Sequence, residues 1–178
     1  MRYVSTRDNS KEYNFEDVFI KGLADDGGLY IPKSLKKYNT EELSELKNLS
    51  YNELSTEIIN QFSSDFISRD ELLSLVSKSY STFREKEVVK ISNVGKLKLL
   101  ELFHGPTLAF KDVAMQFIGN LYEYYLSKNN KKINIVVATS GDTGAAAINA
   151  IKGKSNLNIF VLHPNNKISS VQRKINLK

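Results

Sequence analysis

Ile133-Asn134-Ile135-Val136-Val137-Ala138-Thr139-Ser140-Gly141-Asp142-Thr143-Gly144-Ala145-Ala146-Ala147-Ile148 is the stretch whose reading decides the fold. Residues 133–138 are apolar and β-branched, which predicts a parallel strand buried on both faces. Residues 139–144 form a tight turn into a helix that carries Ala145, Ala146, Ala147, Ile148 and Ile151, and its small residues permit close packing. Gly153 ends it, and residues 158–162 make a second strand. Strand, helix and strand in that order form a βαβ unit, so the class is α/β. Residues 169–175 predict the start of another helix.

Working upstream, a helix is expected from about Lys111 to Ser127, with Ala114, Phe117, Ile118, Leu121 and Tyr125 as its buried stripe. A loop over 103–109 precedes it and contains Gly105-Pro106. Before the loop, residues 87–92 and 96–102 predict two strands around Asn93-Val94-Gly95. Ser50 with Glu53 and Ser68 with Glu71 both match the capping box. Leu54, Ile58, Ile59 and Phe62 give one following helix its apolar face; Leu72, Leu75, Val76 and Tyr80 give the other theirs. A helix over 40–47 has the weaker pattern. Asn14 caps a helix starting at Phe15, with Glu16 and Asp17 suiting its positive end, and Gly22 closes it. Asp25-Asp26-Gly27-Gly28 is a turn between an extended run at 3–6 and a short strand at 29–31 that Pro32 stops. The expected organisation is an N-terminal α+β region over 1–92, then a partial α/β region over 93–178.

The 178 residues are 41% hydrophobic and 25% charged, as in an ordinary globular chain. There is no cysteine, which excludes a disulfide framework, thiolate-held zinc and cysteine nucleophiles. The only histidines are His104 and His163, too few for a multi-histidine metal site. The opening residues lack the apolar core of a signal peptide, and no stretch is long and apolar enough to span a membrane. A reducing, cytoplasmic setting is expected. The net charge of +5 is uneven: nine of the 25 basic residues lie from Lys128 onward, against one acid, Asp142. Solvated lysines on loops and helix ends explain that best; a polyanionic partner, a small anion or a missing acidic segment are the alternatives.

The turn at 139–144 could bind a carboxylate or phosphate. Its glycines let backbone N–H groups approach closely, the helix N-terminus adds partial positive charge, and the Ser140 and Thr143 hydroxyls add donors. It is not a Walker motif and lacks G-x-G-x-x-G. The plain alternative is a turn in which Ser or Asp caps the helix. Asp142 would repel an anion, so its side chain must point away or cap the helix itself. Lys111 stands at a helix start, where the positive end lowers the cost of losing its proton, as a Schiff-base lysine requires. By local sequence alone it reads as an ordinary surface lysine. His104 is an acid or base, or a hydrogen-bonding loop residue, and the loop role is favoured; His163 is a strand-end residue.

Glu101-Leu102-Phe103-His104-Gly105-Pro106-Thr107-Leu108-Ala109-Phe110-Lys111-Asp112 resembles the lysine segment of the threonine synthase family, which uses pyridoxal 5′-phosphate (PLP) on the tryptophan-synthase-β-like fold. Residues 138–144 resemble the substrate loop of the same group. Tyr3-Val4-Ser5-Thr6-Arg7 and Gly22-Leu23-Ala24-Asp25-Asp26-Gly27-Gly28-Leu29-Tyr30-Ile31-Pro32 resemble the family's opening. The motifs fall in family order over nearly the whole chain, and the segments with Asp-Gly-Gly-Leu-Tyr and His-Gly-Pro-Thr point to threonine synthase over the sister lyases.

The resemblance implies that Lys111 is the Schiff-base lysine, both catalytic and cofactor-binding. It implies that Ser140, Gly141, Asp142 and Thr143 hold the substrate carboxylate, with Asp142 also a neighbour of PLP. It implies conversion of O-phospho-L-homoserine and water to L-threonine and phosphate. The fold it implies is an N-terminal α+β region followed by the start of a three-layer PLP-binding domain. Family members are far longer, with the loop gripping the PLP phosphate downstream, so an incomplete and inactive portion is expected. An open sheet edge would then invite self-association. The rivals are another PLP lyase of the group, such as a threonine dehydratase, a non-enzymatic binding fragment, and a basic nucleic-acid-binding module resting on charge alone. Neither a nucleic-acid partner nor a membrane is expected.

Overall fold

The computed structural model describes residues 1–139 and 141–164. The chain divides into two compact units, Met1–Val76 and the residues from Ser77 onward.

In the first unit, β1 (Tyr3–Ser5) pairs antiparallel with β2 (Tyr30–Pro32). Between them lies α1 (Phe15–Lys21), where the Asn14 side chain accepts from Asp17 N at 2.8 Å and the Gly22 N–H closes on Val18 O. The Asp-Asp-Gly-Gly turn clasps β1. Asp26 Oδ1 accepts from Ser5 Oγ and Gly28 N, each at 2.8 Å. Gly27 has a φ of 76°, and a Cβ on Gly28 would run into the Ser5 hydroxyl, so glycine is required at both. α2 (Thr40–Leu46) opens with a capping box between Asn39 and Glu42, and α3 (Tyr51–Ser63) with the expected one between Ser50 and Glu53. α4 (Arg69–Tyr80) crosses the boundary between the units; its own box joins Ser68 and Glu71. Tyr3, Val4, Ile67, Leu72 and Val76 are buried here.

In the second unit, β3 (Lys90–Val94) and β4 (Leu97–Glu101) make a hairpin around Gly95. The first of these strands starts later than its sequence suggests. Val88 is buried with a φ of 61°, and its N–H bonds back to Glu85 O, so residues 87–89 turn instead of extending. α5 (Asp112–Lys128) buries Phe117, Leu121 and Tyr125 as expected, but Ala114 and Ile118 are exposed. Gln116, Gly119 and Asn120 take the inner positions instead.

β5 (Ile133–Ala138), α6 (Asp142–Ile151) and β6 (Leu157–Leu162) form the βαβ unit, with β5 and β6 parallel from Ile133↔Leu157 to Ala138↔Leu162. α5 and α6 approach closely: a Cβ on Gly119 would stand 2.6 Å from the Ala150 carbonyl oxygen. β5 is not buried on both faces. Ile133, Ile135 and Val137 are half-buried, while Val136 is 65% exposed, because its outer face carries no covering element among the described residues. The helix expected over 169–175 lies outside the described residues. Among the described residues, no helix is long and apolar enough to cross a membrane, and no cluster of side chains could hold a metal ion.

Candidate active site

The loop leading into α5 is built around a buried carboxylate. Asp112 is fully buried, and its two oxygens accept from Thr107 N and Thr107 Oγ1, each at 2.8 Å. A buried carboxylate without such donors would be costly. Gly105 lies against it: a Cβ there would stand 2.5 Å from Asp112 Oδ2 and 2.8 Å from Cγ. Leu108 takes a φ of 64° as the chain turns back, its N–H donating to Gly105 O. Lys111 is the residue immediately before the helix and makes no side-chain cap.

His104 belongs to the loop. Its Nε2 lies 2.8 Å from Glu101 Oε2, and its carbonyl accepts from Arg84 N at 2.9 Å. The hydroxyl of Ser92, followed by His104, holds the Glu101 carboxyl below the ordinary carboxylate range.

The Lys111 side chain is 28% exposed, and its Nζ sits 4.3 Å from the Phe110 ring centroid. The same Nζ lies 3.5 Å from Asp142 Oδ1, in the first turn of α6. Two sequence motifs far apart in the chain are thereby joined. Among the described residues, the charge that stands beside the Asp142 carboxylate is the lysine's.

The turn into α6 is organised by Thr139. Its Oγ1 accepts from Gly141 N at 3.3 Å and Gly144 N at 3.2 Å. Among the described residues, the side chain that accepts from the first turn of this helix is therefore Thr139. A Cβ on Gly144 would collide with the Thr139 methyl group. The Thr139 carbonyl lies 3.3 Å from His163 Nδ1, at the end of β6. Gly141 and Thr143 border Asp142 at the head of α6; Ser140 lies outside the described residues. Thr107, Gly105 and Thr139 lie in the segments that carry the resemblance but are not among the site residues it implies. Their signal was the short spacing to Asp112 and Gly144, which no familiar motif encodes.

The chain matches solved structures over 98% of its length. It has a TM-score of 0.92 and 41% identity to a PLP-bound threonine synthase from Brucella melitensis, of which it covers 38%. It has a TM-score of 0.92 and 43% identity to the yeast threonine synthase, of which it covers 37%. Its fold is thus that of the N-terminal region of PLP-dependent threonine synthases. Residues 2–80 match the family described as the threonine synthase N terminus. The chain is also 42% identical to the threonine synthase of Pseudomonas aeruginosa, covering 98% of itself and 37% of that relative. Over nearly its whole length, the chain is thus similar to the N-terminal region of threonine synthases.

Proposed function

We propose that this chain is the lysine- and carboxylate-binding portion of a threonine synthase, whose complete form converts O-phospho-L-homoserine and water to L-threonine and phosphate in the cytoplasm. The observation that carries the reading is the Lys111–Asp142 pair, which sets an accessible amine beside the N-terminal turn of α6. The residues fit PLP, since an aldehyde cofactor needs a reachable primary amine and Lys111 retains 28% exposure. PLP, when bound, supplies an electron sink for charge developing at the substrate's α- and β-carbons.

Lys111 would hold the cofactor through Nζ and, once free, would move protons at Cα and Cβ. Asp142 balances the lysine's charge and would neighbour the cofactor. Ser140, Gly141, Asp142 and Thr143 orient the substrate carboxylate, using backbone N–H groups at the head of α6 and the hydroxyls. Thr139 presets that turn, so little reorganisation remains when substrate arrives.

The chain spans little more than a third of the relatives it matches, so turnover is assigned to the complete enzyme and not to these residues alone. Borohydride reduction of the complete enzyme, purified with its own cofactor and no added PLP, tests the assignment. The pyridoxyl label is expected on Lys111; a label on Lys128 or Lys131 overturns it.

A further inference from the structure

The loop that ends at Lys111 is pinned at its entrance by side chains with no part in the chemistry above. His104 opens that stretch. Its side chain is 12% exposed, the Phe103 ring centroid lies 4.7 Å from its own, and its Nε2 is 2.8 Å from Glu101 Oε2 at the end of β4. The other Glu101 oxygen accepts from the Ser92 hydroxyl on β3. An ionised carboxylate only accepts, so the hydrogen in the contact with His104 is carried by Nε2. The His104 carbonyl is held too, accepting from Arg84 N at 2.9 Å. Side chain and backbone are thus fixed together.

The next residues carry that placement toward the lysine. Gly105 accepts from Leu108 N and lies against the buried Asp112 carboxylate, which holds Thr107 through both oxygens. Beyond Asp112, the Val113 carbonyl accepts from Tyr80 Oη at 3.1 Å. Lys111 stands inside this brace, and its Nζ meets Asp142 on another helix.

We propose that His104 is a positioning residue for Lys111, acting through its hydrogen bond to Glu101. The proposal rests on the reading of Lys111 as the cofactor lysine. Ser92 and Glu101 lie on paired strands, so the hairpin is the footing on which the lysine's loop is set. Without the bond the loop entrance shifts, and a misplacement of about 1 Å at a reacting group costs on the order of a hundredfold in rate.

The test uses the complete enzyme freed of cofactor, with His104→Gln, His104→Asn, Glu101→Leu and the double variant of the last two. A Gln amide N–H reaches the position of Nε2–H; the shorter Asn amide does not. Two quantities are measured: the rate of PLP attachment to Lys111, by absorbance and peptide mapping, and hydrogen exchange of the Thr107 amide with no cofactor present. His104→Asn is expected to attach PLP at least about fivefold more slowly and to exchange Thr107 faster. His104→Gln should recover most of both, and adding Glu101→Leu to His104→Asn should slow attachment no further. Attachment at the wild-type rate in His104→Asn, even with a lower thermal midpoint, overturns the proposal, as does a loss that His104→Gln does not recover or one that adds independently to that of Glu101→Leu. Wild-type enzyme that attaches PLP elsewhere than Lys111 overturns the underlying reading, and the proposal with it.

Discussion

Gly105 and Asp112 are in contact that leaves no room for a side chain: a Cβ on the glycine would stand 2.5 Å from the carboxylate Oδ2. The residue before the aspartate, Lys111, stands at the head of α5. Gly105→Ala must push Asp112 off Thr107 or distort the loop. The expected loss is about 1–3 kcal/mol, typical of overpacking. A lower thermal midpoint for the second unit, followed by hydrogen exchange in α5, checks it; an unchanged midpoint contradicts the contact.

Thr139→Val removes the oxygen that accepts from Gly141 and Gly144 while preserving side-chain shape. Loss of a cap costs about 0.5–2 kcal/mol, so faster amide exchange at the head of α6 is expected. Thr139→Ser keeps the oxygen and should restore most of the protection. Equal exchange in both variants would remove Thr139 as the cap.

Tyr3 gives the first unit a pH dependence. Burial, and then the Asp65 charge, push its phenol from 10.0 up to about 12, and the hydroxyl donates to Phe62 O. The raised value means that the folded state keeps a proton the unfolded state has lost. The contribution is fully present below pH 10.0 and is lost as pH rises through about 12. It amounts to about 2–3 kcal/mol at most. Urea titrations of wild type and Tyr3→Phe across that window should converge as pH rises.

Lys154 has the opposite sign. Its amine is held below the ordinary value of 10.5, so the unfolded state binds the extra proton. Stability is greatest above 10.5 and is lost as pH falls through the lowered folded value. Relative to Lys154→Met, the wild-type second unit should therefore gain stability from pH 7 toward that upper limit. A constant difference between the two proteins would show that the amine is as well solvated folded as unfolded.

The backbone elements were legible where a short local rule operates. Asn14, Ser50 and Ser68 cap their helices as the spacing to N3 dictates, and Gly153 ends α6. The βαβ unit followed from apolar runs around a glycine turn. Val88 was not legible, because a β-branched residue with positive φ contradicts its own propensity and is held by burial. The exposed side of β5 was missed because an apolar run signals burial without saying what provides it. At the site, Lys111, Asp142, Gly141 and Thr143 were named from motif resemblance. That the first two touch is a product of how α5 and α6 pack, and no local spacing contains it. Thr107 and Thr139 act through hydrogen bonds to neighbours a few residues on, and a threonine announces no such partner in advance.

The aligned asparagines of the parallel pair set the register of β5 against β6. Asn134 stands opposite Asn158, whose Nδ2 donates to Asn134 Oδ1 at 2.9 Å on the open side of the sheet. The flanking Ile135 and Ile159 turn toward the half-buried side. No hairpin turn ties parallel strands together, so nothing local counts residues between them. Sliding β6 by one position would swing Asn158, Phe160 and Leu162 onto the inner side and turn Leu157, Ile159 and Val161 outward. An amide stripped of its partner there costs about 1–3 kcal/mol. The polar pair thus acts as an alignment mark, penalising every odd-numbered slip that a purely apolar ladder would tolerate.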